Sequence, residues 1–271
     1  MRGFGLLVTA SLMASLAALF ALPSRAGAPV PVDIELVLAV DISYSMDYDE
    51  LTLQREGYIQ ALTSKDFVDA LRNGAHGKIA VIYIEWAGSH EQTIVVPWTL
   101  IENAATAQAF AEKLAAAQIR RTYRTSISSA LLFSAAQFGT SDFKGVRRVI
   151  DVSGDGTNNQ GPLIEPTRDE IVAKGIVING LPLQLKAPTG SMLDIPNLHE
   201  YYEDCVIGGT GSFVIPVRER SQFVNAVRQK LILEVSGIKP NGFTMQTIPA
   251  VKPPRVSCTI GESMWMQRWG N

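Results

Sequence analysis

The chain has 271 residues, of which 46% are hydrophobic and 18% are charged, so it is long enough and apolar enough to bury a full core. Its 24 basic and 26 acidic residues give a net charge of −2 without any block of like charges, which argues against a nucleic-acid partner. The 3 histidines and 2 cysteines lie far apart in the sequence, which excludes the close Cys and His spacing of a zinc site.

Residues 1–26 predict a secretory signal peptide. Arg2 gives a basic start, residues 4–22 are largely apolar, and Ala26 ends a short segment suited to cleavage. An uncleaved membrane anchor is the alternative, because the same apolar stretch nearly reaches the roughly 20 residues that cross a bilayer. Pro23 breaks a helix just before the cleavage site and favours cleavage. We therefore expect a periplasmic or secreted protein with no stable membrane insertion.

Residues 32–237 are predicted to form one α/β domain. Short apolar stretches alternate there with amphipathic stretches of helix length, the pattern of βαβ units on a mostly parallel sheet. The link at residues 87–92 is too short for a crossover helix, so an antiparallel edge strand is expected after it. We predict a doubly wound, mostly parallel six-stranded sheet with one antiparallel edge strand and helices on both faces. The predicted strands cover residues 34–40, 79–86, 93–98, 149–153, 176–181 and 212–217.

Residues 238–271 form a Pro-rich C-terminal tail beyond this domain. Trp265 and Trp269, near its end, either dock back on the domain or contact another molecule. Cys205 and Cys258 either form a disulfide, which an oxidising compartment permits, or remain two separate buried thiols. Because a disulfide would tether the tail, we expect the tryptophans to dock on the domain.

Oxygen-bearing side chains lie where predicted strands and helices begin or end. Asp41, Ser43 and Ser45 follow the first strand at alternate positions, so in an extended turn they point the same way. Thr125 comes just before a helix, and Asp155 follows the fourth strand. The carboxyl ends of parallel strands meet at one edge of the sheet, where open α/β folds bind ligands. A group of hard oxygen donors without His or Cys suits Mg²⁺, with Mn²⁺ or Ca²⁺ as alternatives.

These segments resemble the metal-ion-dependent adhesion site (MIDAS) of the von Willebrand factor type A (vWA) domain. The resemblance implies a vWA fold over residues 32–237. It also implies that the two serines bind the metal directly, the threonine directly or through water, and the aspartates often through water. A carboxylate from a partner protein can complete the coordination. The segments that carry the resemblance are Asp41-Ile42-Ser43-Tyr44-Ser45, Arg124-Thr125 and Asp155-Gly156.

The chain is also similar, over residues 201–214, to a bacterial subfamily of exported type A domains of unknown function. Two positions depart from the usual vWA pattern. Arg124 stands in place of a glycine, and Gly154 stands where a serine or threonine often precedes the aspartate. Arg124 either crowds the site or offers a cation to an acidic partner. Asp151, inside the fourth strand, either supports the site or bonds to a neighbouring loop.

We expect a binding module and not an enzyme, with a partner-binding rim formed by Tyr44, Arg124 and Asn158. The expected partner is a protein that offers a carboxylate. A metal-assisted hydrolase or phosphotransferase with Asp41 or Ser43 as nucleophile is the first alternative, although neither an adjacent base nor a GxSxG turn accompanies Ser43. A periplasmic solute receptor is the second, although the chain is short for two lobes around a cleft.

Overall fold

The computed structural model describes residues 28–185, 195–236 and 253–269 of the chain. The predicted signal peptide and residues 238–252 of the tail lie outside the described residues. Within the described part, no helix is long and apolar enough to cross a membrane.

A five-stranded sheet forms the centre of the protein. Its strands are β1 (Val30–Asp41), β2 (Ile79–Trp86), β3 (Gln92–Ile101), β4 (Phe143–Gly154) and β5 (Ile176–Pro182). They lie in the order β3-β2-β1-β4-β5. Every neighbouring pair is parallel except β2 and β3, so β3 is an antiparallel edge strand. The predicted α/β class with one antiparallel edge strand is confirmed.

The predicted sixth strand, at residues 212–217, does not continue the sheet as a regular strand. It makes isolated parallel bridges beside β5, at Gly180 and Leu183. Between these bridges a regular parallel ladder requires an N–H donor at Pro182, and proline has none. The prediction of six strands is therefore wrong by one, because the proline that ends β5 interrupts the hydrogen bonding to the next segment.

Helices cover both faces of the sheet, as predicted. On one face α1, α2, α3 and α7 bury their apolar side chains, and on the other face α4, α5, α6 and the start of α8 do so. α6 continues directly into a π-helical turn at Tyr202–Val206. The helices are α1 (Tyr48–Thr63), α2 (Lys65–Leu71), α3 (Ala104–Ala116), α4 (Ile127–Gln137), α5 (Ile164–Ala173), α6 (Leu198–Tyr201), α7 (Phe223–Ser236) and α8 (Ile260–Trp269).

A capping box fixes the start of α1 and so limits the loop that follows β1. The Glu50 N–H donates to Asp47 Oδ1 at 2.9 Å, and the Asp47 N–H donates to Glu50 Oε2 at 2.8 Å. This reciprocal pair satisfies two backbone donors that a helix start otherwise leaves unpaired. The loop between Asp41 and Asp47 is therefore held at both ends.

Cys205 and Cys258 form a disulfide, so the predicted pairing is confirmed. The bond joins the π-helical turn after α6 to the segment just before α8. Both cysteines are buried in the core on this face of the sheet. The end of the chain is thus tied covalently to the domain.

Asp151, inside β4, belongs to a buried charged cluster beneath α7. Its carboxylate pairs with Lys230, whose Nζ lies 3.6 Å from Oε1 of Glu234. Asn179 of β5 donates a hydrogen bond to the same Glu234 oxygen. Burial raises the pKa of Glu234 to about 8, and the negative charge of Asp151 contributes to the rise. Asp151 therefore joins α7 to the sheet through a salt bridge.

Glu234→Gln is expected to flatten the pH dependence of stability between about pH 4.5 and about pH 8. A carboxyl whose pKa rises on folding contributes stability that is fully present below its unfolded-state pKa and is lost as pH rises through its folded-state pKa. As pH rises through that window, loss of the Glu234 proton lowers the wild-type free energy of unfolding by up to about 1.4 kcal/mol per pH unit. Glutamine does not titrate, so the variant lacks this dependence on pH. Urea titrations of both proteins at several pH values measure the difference, and equal slopes would contradict the prediction.

Candidate metal-binding site

The ends of β1 and β4 bring two predicted carboxylates to one edge of the sheet. Asp41 is the last residue of β1, and Asp155 directly follows Gly154, the last residue of β4. Because the two strands are adjacent and parallel, their C-terminal ends lie side by side. This edge is where open α/β folds bind ligands.

A chain of hydrogen bonds joins four of the five predicted ligands. The Ser43 N–H donates to Asp41 Oδ1 at 2.7 Å, and the hydroxyl oxygens of Ser43 and Ser45 lie 2.9 Å apart. The Ser45 hydroxyl donates to Asp155 Oδ1 at 2.5 Å. Two hydroxyls thus connect carboxylates that are far apart in the sequence.

Thr125, the fifth predicted ligand, lies on the loop just before α4. Ser126 is the N-cap of that helix, which leaves Thr125 outside the helical hydrogen bonding. The Thr125 N–H donates to Oδ1 of Asn159 at 3.1 Å, and its carbonyl accepts from the Asn159 N–H at 2.9 Å. These two bonds tie the Thr125 loop to the loop that follows β4.

One cavity of about 650 Å³ opens at this edge of the sheet. Asp41 is fully buried, directly behind the Ser43 N–H that it accepts from. The structure therefore brings four of the five predicted ligands to one cavity and places the fifth, Asp41, in contact with one of them, Ser43. The four that line the cavity are Ser43, Ser45, Thr125 and Asp155.

Asp41 is fully buried, and no described Lys or Arg forms a salt bridge with its carboxyl group. Its Oδ2 is buried and has no hydrogen-bond partner among the described residues. Burial raises the pKa of Asp41 well above its usual value, and the nearby charge of Asp155 raises it further. A buried carboxylate is stable when a positive charge compensates it. The site thus has a place for a cation.

The donor set fits a divalent cation that binds oxygen. Within the described part of the chain, no group of three or more His, Cys, Asp or Glu forms a metal site. A cation at this edge would therefore depend on the hydroxyls of Ser43 and Ser45 in addition to carboxylates. Two carboxylates would balance the charge of Mg²⁺, Mn²⁺ or Ca²⁺, all of which prefer oxygen ligands.

Gly154 provides space for two buried oxygen atoms. A Cβ added at this position would lie 2.8 Å from Asp41 Oδ2 and 2.9 Å from the hydroxyl oxygen of Tyr202. The Tyr202 hydroxyl is buried and has no hydrogen-bond partner among the described residues. Tyr202 thus occupies the region in which a serine or threonine side chain would extend from position 154. Sequence reasoning missed this residue, although the Tyr201-Tyr202 pair helped to carry the subfamily resemblance.

Aromatic and basic side chains form part of the rim. The rings of Tyr44 and Tyr123, both exposed, stack with centroids 4.2 Å apart, and the guanidinium of Arg121 lies over Tyr44. Arg124 has a φ of 75°, a left-handed conformation that favours the glycine usual in vWA domains. Its guanidinium carbon lies 3.2 Å from the ring centroid of Trp265. Tyr44 and Arg124 thus lie at the cavity, and Trp265 docks on the domain as predicted.

Asn158 does not belong to the rim, and that prediction is wrong. The residue is fully buried. Its Oδ1 accepts from the N–H and the hydroxyl of Ser128 in α4, and its Nδ2 donates to the Pro162 carbonyl and to Glu262 Oε1. These four bonds hold the loop after β4 in place. The neighbouring Asn159 lines the cavity instead.

The five-stranded sheet with helices on both faces and oxygen-bearing loops at one edge has the architecture of a vWA-like fold. The chain belongs to the family described as protein of unknown function DUF1194, whose profile matches residues 31–239. No curated protein matches the sequence.

Solved structures are similar to this chain at identities that establish the fold alone. Proximal thread matrix protein 1 from the mussel byssus has a TM-score of 0.57 and 12% identity, with 76% of this chain and 49% of that chain covered. The von Willebrand factor type A protein from Catenulispora acidiphila has a TM-score of 0.51 and 14% identity, with 76% and 43% covered. The pilus adhesin SpaC from Lactobacillus rhamnosus GG, in its open conformation, has a TM-score of 0.53 and 15% identity, with 76% and 30% covered. The chain thus spans about half the length of the mussel protein and less of the other two.

Gly154→Ser is expected to destabilise the protein by roughly 1–3 kcal/mol, the usual cost of overpacking a filled interior. The added side chain must displace Asp41 Oδ2 or the Tyr202 hydroxyl. Combining it with Tyr202→Phe, which removes that hydroxyl, should recover part of the loss. Gly139→Ser is the matched control, because a Cβ at Gly139 meets nothing within 4 Å. Chemical denaturation measures all four proteins, and equal losses at the two glycines would contradict the prediction.

Proposed function

We propose that the protein is an exported binding module that holds a divalent cation and uses it to bind a carboxylate of a partner protein. The observation that carries this proposal is that Ser43, Ser45, Thr125 and Asp155 line one cavity, while Asp41 lies buried behind Ser43 with its Oδ2 atom left without a hydrogen-bond partner among the described residues. A cation in that position would satisfy the oxygen and balance the charge.

Ser43 and Ser45 would bind the cation through their hydroxyls, and Asp41 and Asp155 would supply its counter-charge. Thr125 would contribute its hydroxyl from the opposite loop. When bound, the cation supplies a positive centre that accepts an oxygen ligand from outside the chain. Mg²⁺ is the proposed ion, because the donors are hard oxygens and few carboxylates are present, and Mn²⁺ and Ca²⁺ are the alternatives.

Two structural relatives support an adhesive role. The mussel byssus protein has also been solved with a zinc-occupied MIDAS motif, at a TM-score of 0.52 and 13% identity to this chain. The Lactobacillus rhamnosus protein is a pilus adhesin. Because these identities establish only the fold, the proposed role depends on the residues of this chain.

The contacts of Ser43 favour binding over catalysis. A nucleophilic serine normally has an adjacent base to accept its proton. The Ser43 hydroxyl lies beside the carboxyl group of Asp41 and next to the Ser45 hydroxyl, which donates to Asp155. In the proposed site both carboxylates would be engaged by the cation and would not be free to act as that base. We therefore infer that the module is not an enzyme. Export agrees with the disulfide, since such bonds persist mainly in oxidising compartments.

Mg²⁺ is expected to stabilise the wild-type protein and to leave Asp41→Asn unchanged. A ligand that binds only the folded state adds about 2.7 kcal/mol at a concentration one hundred times its Kd. The variant keeps the size of the side chain but removes its charge, so the ion loses a buried counter-charge. Asp49→Asn, an exposed position in the first turn of α1, is the matched control and should respond like wild type. Thermal unfolding with EDTA, Mg²⁺ or Mn²⁺ measures the shift. A wild-type protein that responds to neither ion would contradict the proposed metal site.

Partner binding is expected to require both the ion and Asp41. The immobilised full chain, incubated with envelope extract from its native cell, should retain a protein in Mg²⁺ and release it in EDTA. Asp41→Asn should retain none of it, and Asp49→Asn should retain it fully. Soluble acetate at high concentration should compete, because it offers the same oxygen ligand. Retention that survives both EDTA and Asp41→Asn would contradict a carboxylate-to-metal contact.

A further inference from the structure

The helix α8 forms one wall of the cavity that contains the candidate metal site. Gly261, Met264 and Trp265 line the same cavity as Ser43 and Asp155. Helix α8 therefore limits the space at the proposed site, in a cavity that is also lined by the loops after β1, β4 and β5 and by the loop before α4.

Several independent contacts hold α8 and the segment before it in this position. The Cys205–Cys258 disulfide ties that segment to the π-helical turn. Arg255 pairs with Glu203 and with Asp204, where its Nη2 lies 2.9 Å from Oδ1. The Arg255 N–H also donates to Asp204 Oδ2 at 2.7 Å. A covalent bond and charge-assisted hydrogen bonds thus act on the same short segment.

The first turn of α8 packs directly on the loop that follows β4. A Cβ at Gly261 would lie 2.0 Å from the Asn158 carbonyl oxygen, so the two backbones approach as closely as only glycine permits. The side chain of Asn158 donates to Glu262 Oε1 at 2.7 Å. The loop that carries Asp155 is therefore attached to α8.

The second turn of α8 contacts the loop that carries Thr125. The guanidinium of Arg124 lies on the ring of Trp265, a cation–π contact next to a predicted metal ligand. α8 thus bridges the two loops that supply Thr125 and Asp155. Trp265 lines the cavity together with Ser43, Ser45, Thr125 and Asp155, so its ring narrows the space in which a carboxylate could approach them.

We propose that α8 is a tethered wall that admits only slender carboxylate ligands to the metal site. A chain end or an extended segment that carries a carboxylate enters beside Trp265, whereas a carboxylate on a broad flat surface is kept away from the ion. This inference rests on the proposed metal-binding function and adds the kind of partner that the site accepts.

The test compares two carboxylate probes on the full chain loaded with Mn²⁺. Acetate is the slender probe, and its binding is followed by the water-proton relaxation of the bound Mn²⁺. A carboxylate-terminated monolayer on gold is the broad probe, and retention is measured by surface plasmon resonance. Retention that remains in EDTA is subtracted, because it reports charge and not metal. The proteins are wild type, Trp265→Ala, the double variant Cys205→Ser with Cys258→Ser, and the control Met266→Ala, an exposed position on the same helix.

We expect acetate to change the relaxation of all four Mn²⁺-loaded proteins and the monolayer to retain only the two opened variants. Trp265→Ala should show EDTA-sensitive retention where wild type shows none, because the variant removes the ring that narrows the cavity. Met266→Ala should behave as wild type. Trp265→Ala keeps the disulfide, so the test stands even if the double cysteine variant does not fold.

The outcomes separate this inference from the proposed function. If Mn²⁺ gives no relaxation signal with wild type, the metal site itself is wrong and the inference fails with it. If Mn²⁺ binds but acetate has no effect on wild type, the cavity does not admit slender ligands and the inference is overturned. It is also overturned if the monolayer retains wild type as well as the opened variants, or retains none of them.

Discussion

Parallel pairing of β1 with β4 determines where the two carboxylates of the site lie. Because both strands end at the same edge, Asp41 and Asp155 come together although their positions in the sequence are far apart. Burial and mutual repulsion then raise the pKa of Asp41. The other features of this edge depend on that placement. Hydroxyls connect the carboxylates, Gly154 leaves space for Asp41 Oδ2, and the cavity opens next to them.

The sequence was sufficient for the parts of the fold that depend on burial along a continuous stretch. β1 and β2 are apolar on both faces, so their patterns predict central strands whatever their neighbours are. The positions of the predicted ligands were also predictable, since each residue lies shortly after a strand or just before a helix, and the topology brings such positions to one edge. In contrast, the strand predicted at residues 212–217 does not form as a regular strand, because Pro182 of β5 lacks the N–H that the ladder requires. Since Pro182 lies on another segment, the pattern of residues 212–217 does not reveal this interruption. The burial of Asn158 likewise depends on α4 and α8, which its own neighbours in the sequence do not reveal.

The π-helical turn after α6 links the interior of the site to the tail. Tyr202 at its start lies next to the space at Gly154, and Cys205 three positions later forms the disulfide that carries α8 to the cavity. This short segment therefore packs near Asp41 through Tyr202 and anchors the segment before α8 through Cys205.

Two buried aspartates on neighbouring strands show why the edge requires something from outside the chain. Asp151, inside β4, is fully buried and is paired with Lys230 of α7, so the fold itself supplies the compensating charge. Asp41, at the end of β1, is equally buried. The Oδ2 atom of each aspartate has no hydrogen-bond partner among the described residues, but only Asp151 has a cation beside it, since no described Lys or Arg forms a salt bridge with Asp41. The fold thus compensates Asp151 with a lysine of its own and leaves Asp41 without one among the described residues. The difference lies in position, since Asp151 is enclosed by a helix whereas Asp41 lies directly behind a cavity lined with hydroxyls. A cation that entered the cavity would come close to Asp41 and not to Asp151, and this contrast is the physical basis for proposing metal binding at Asp41.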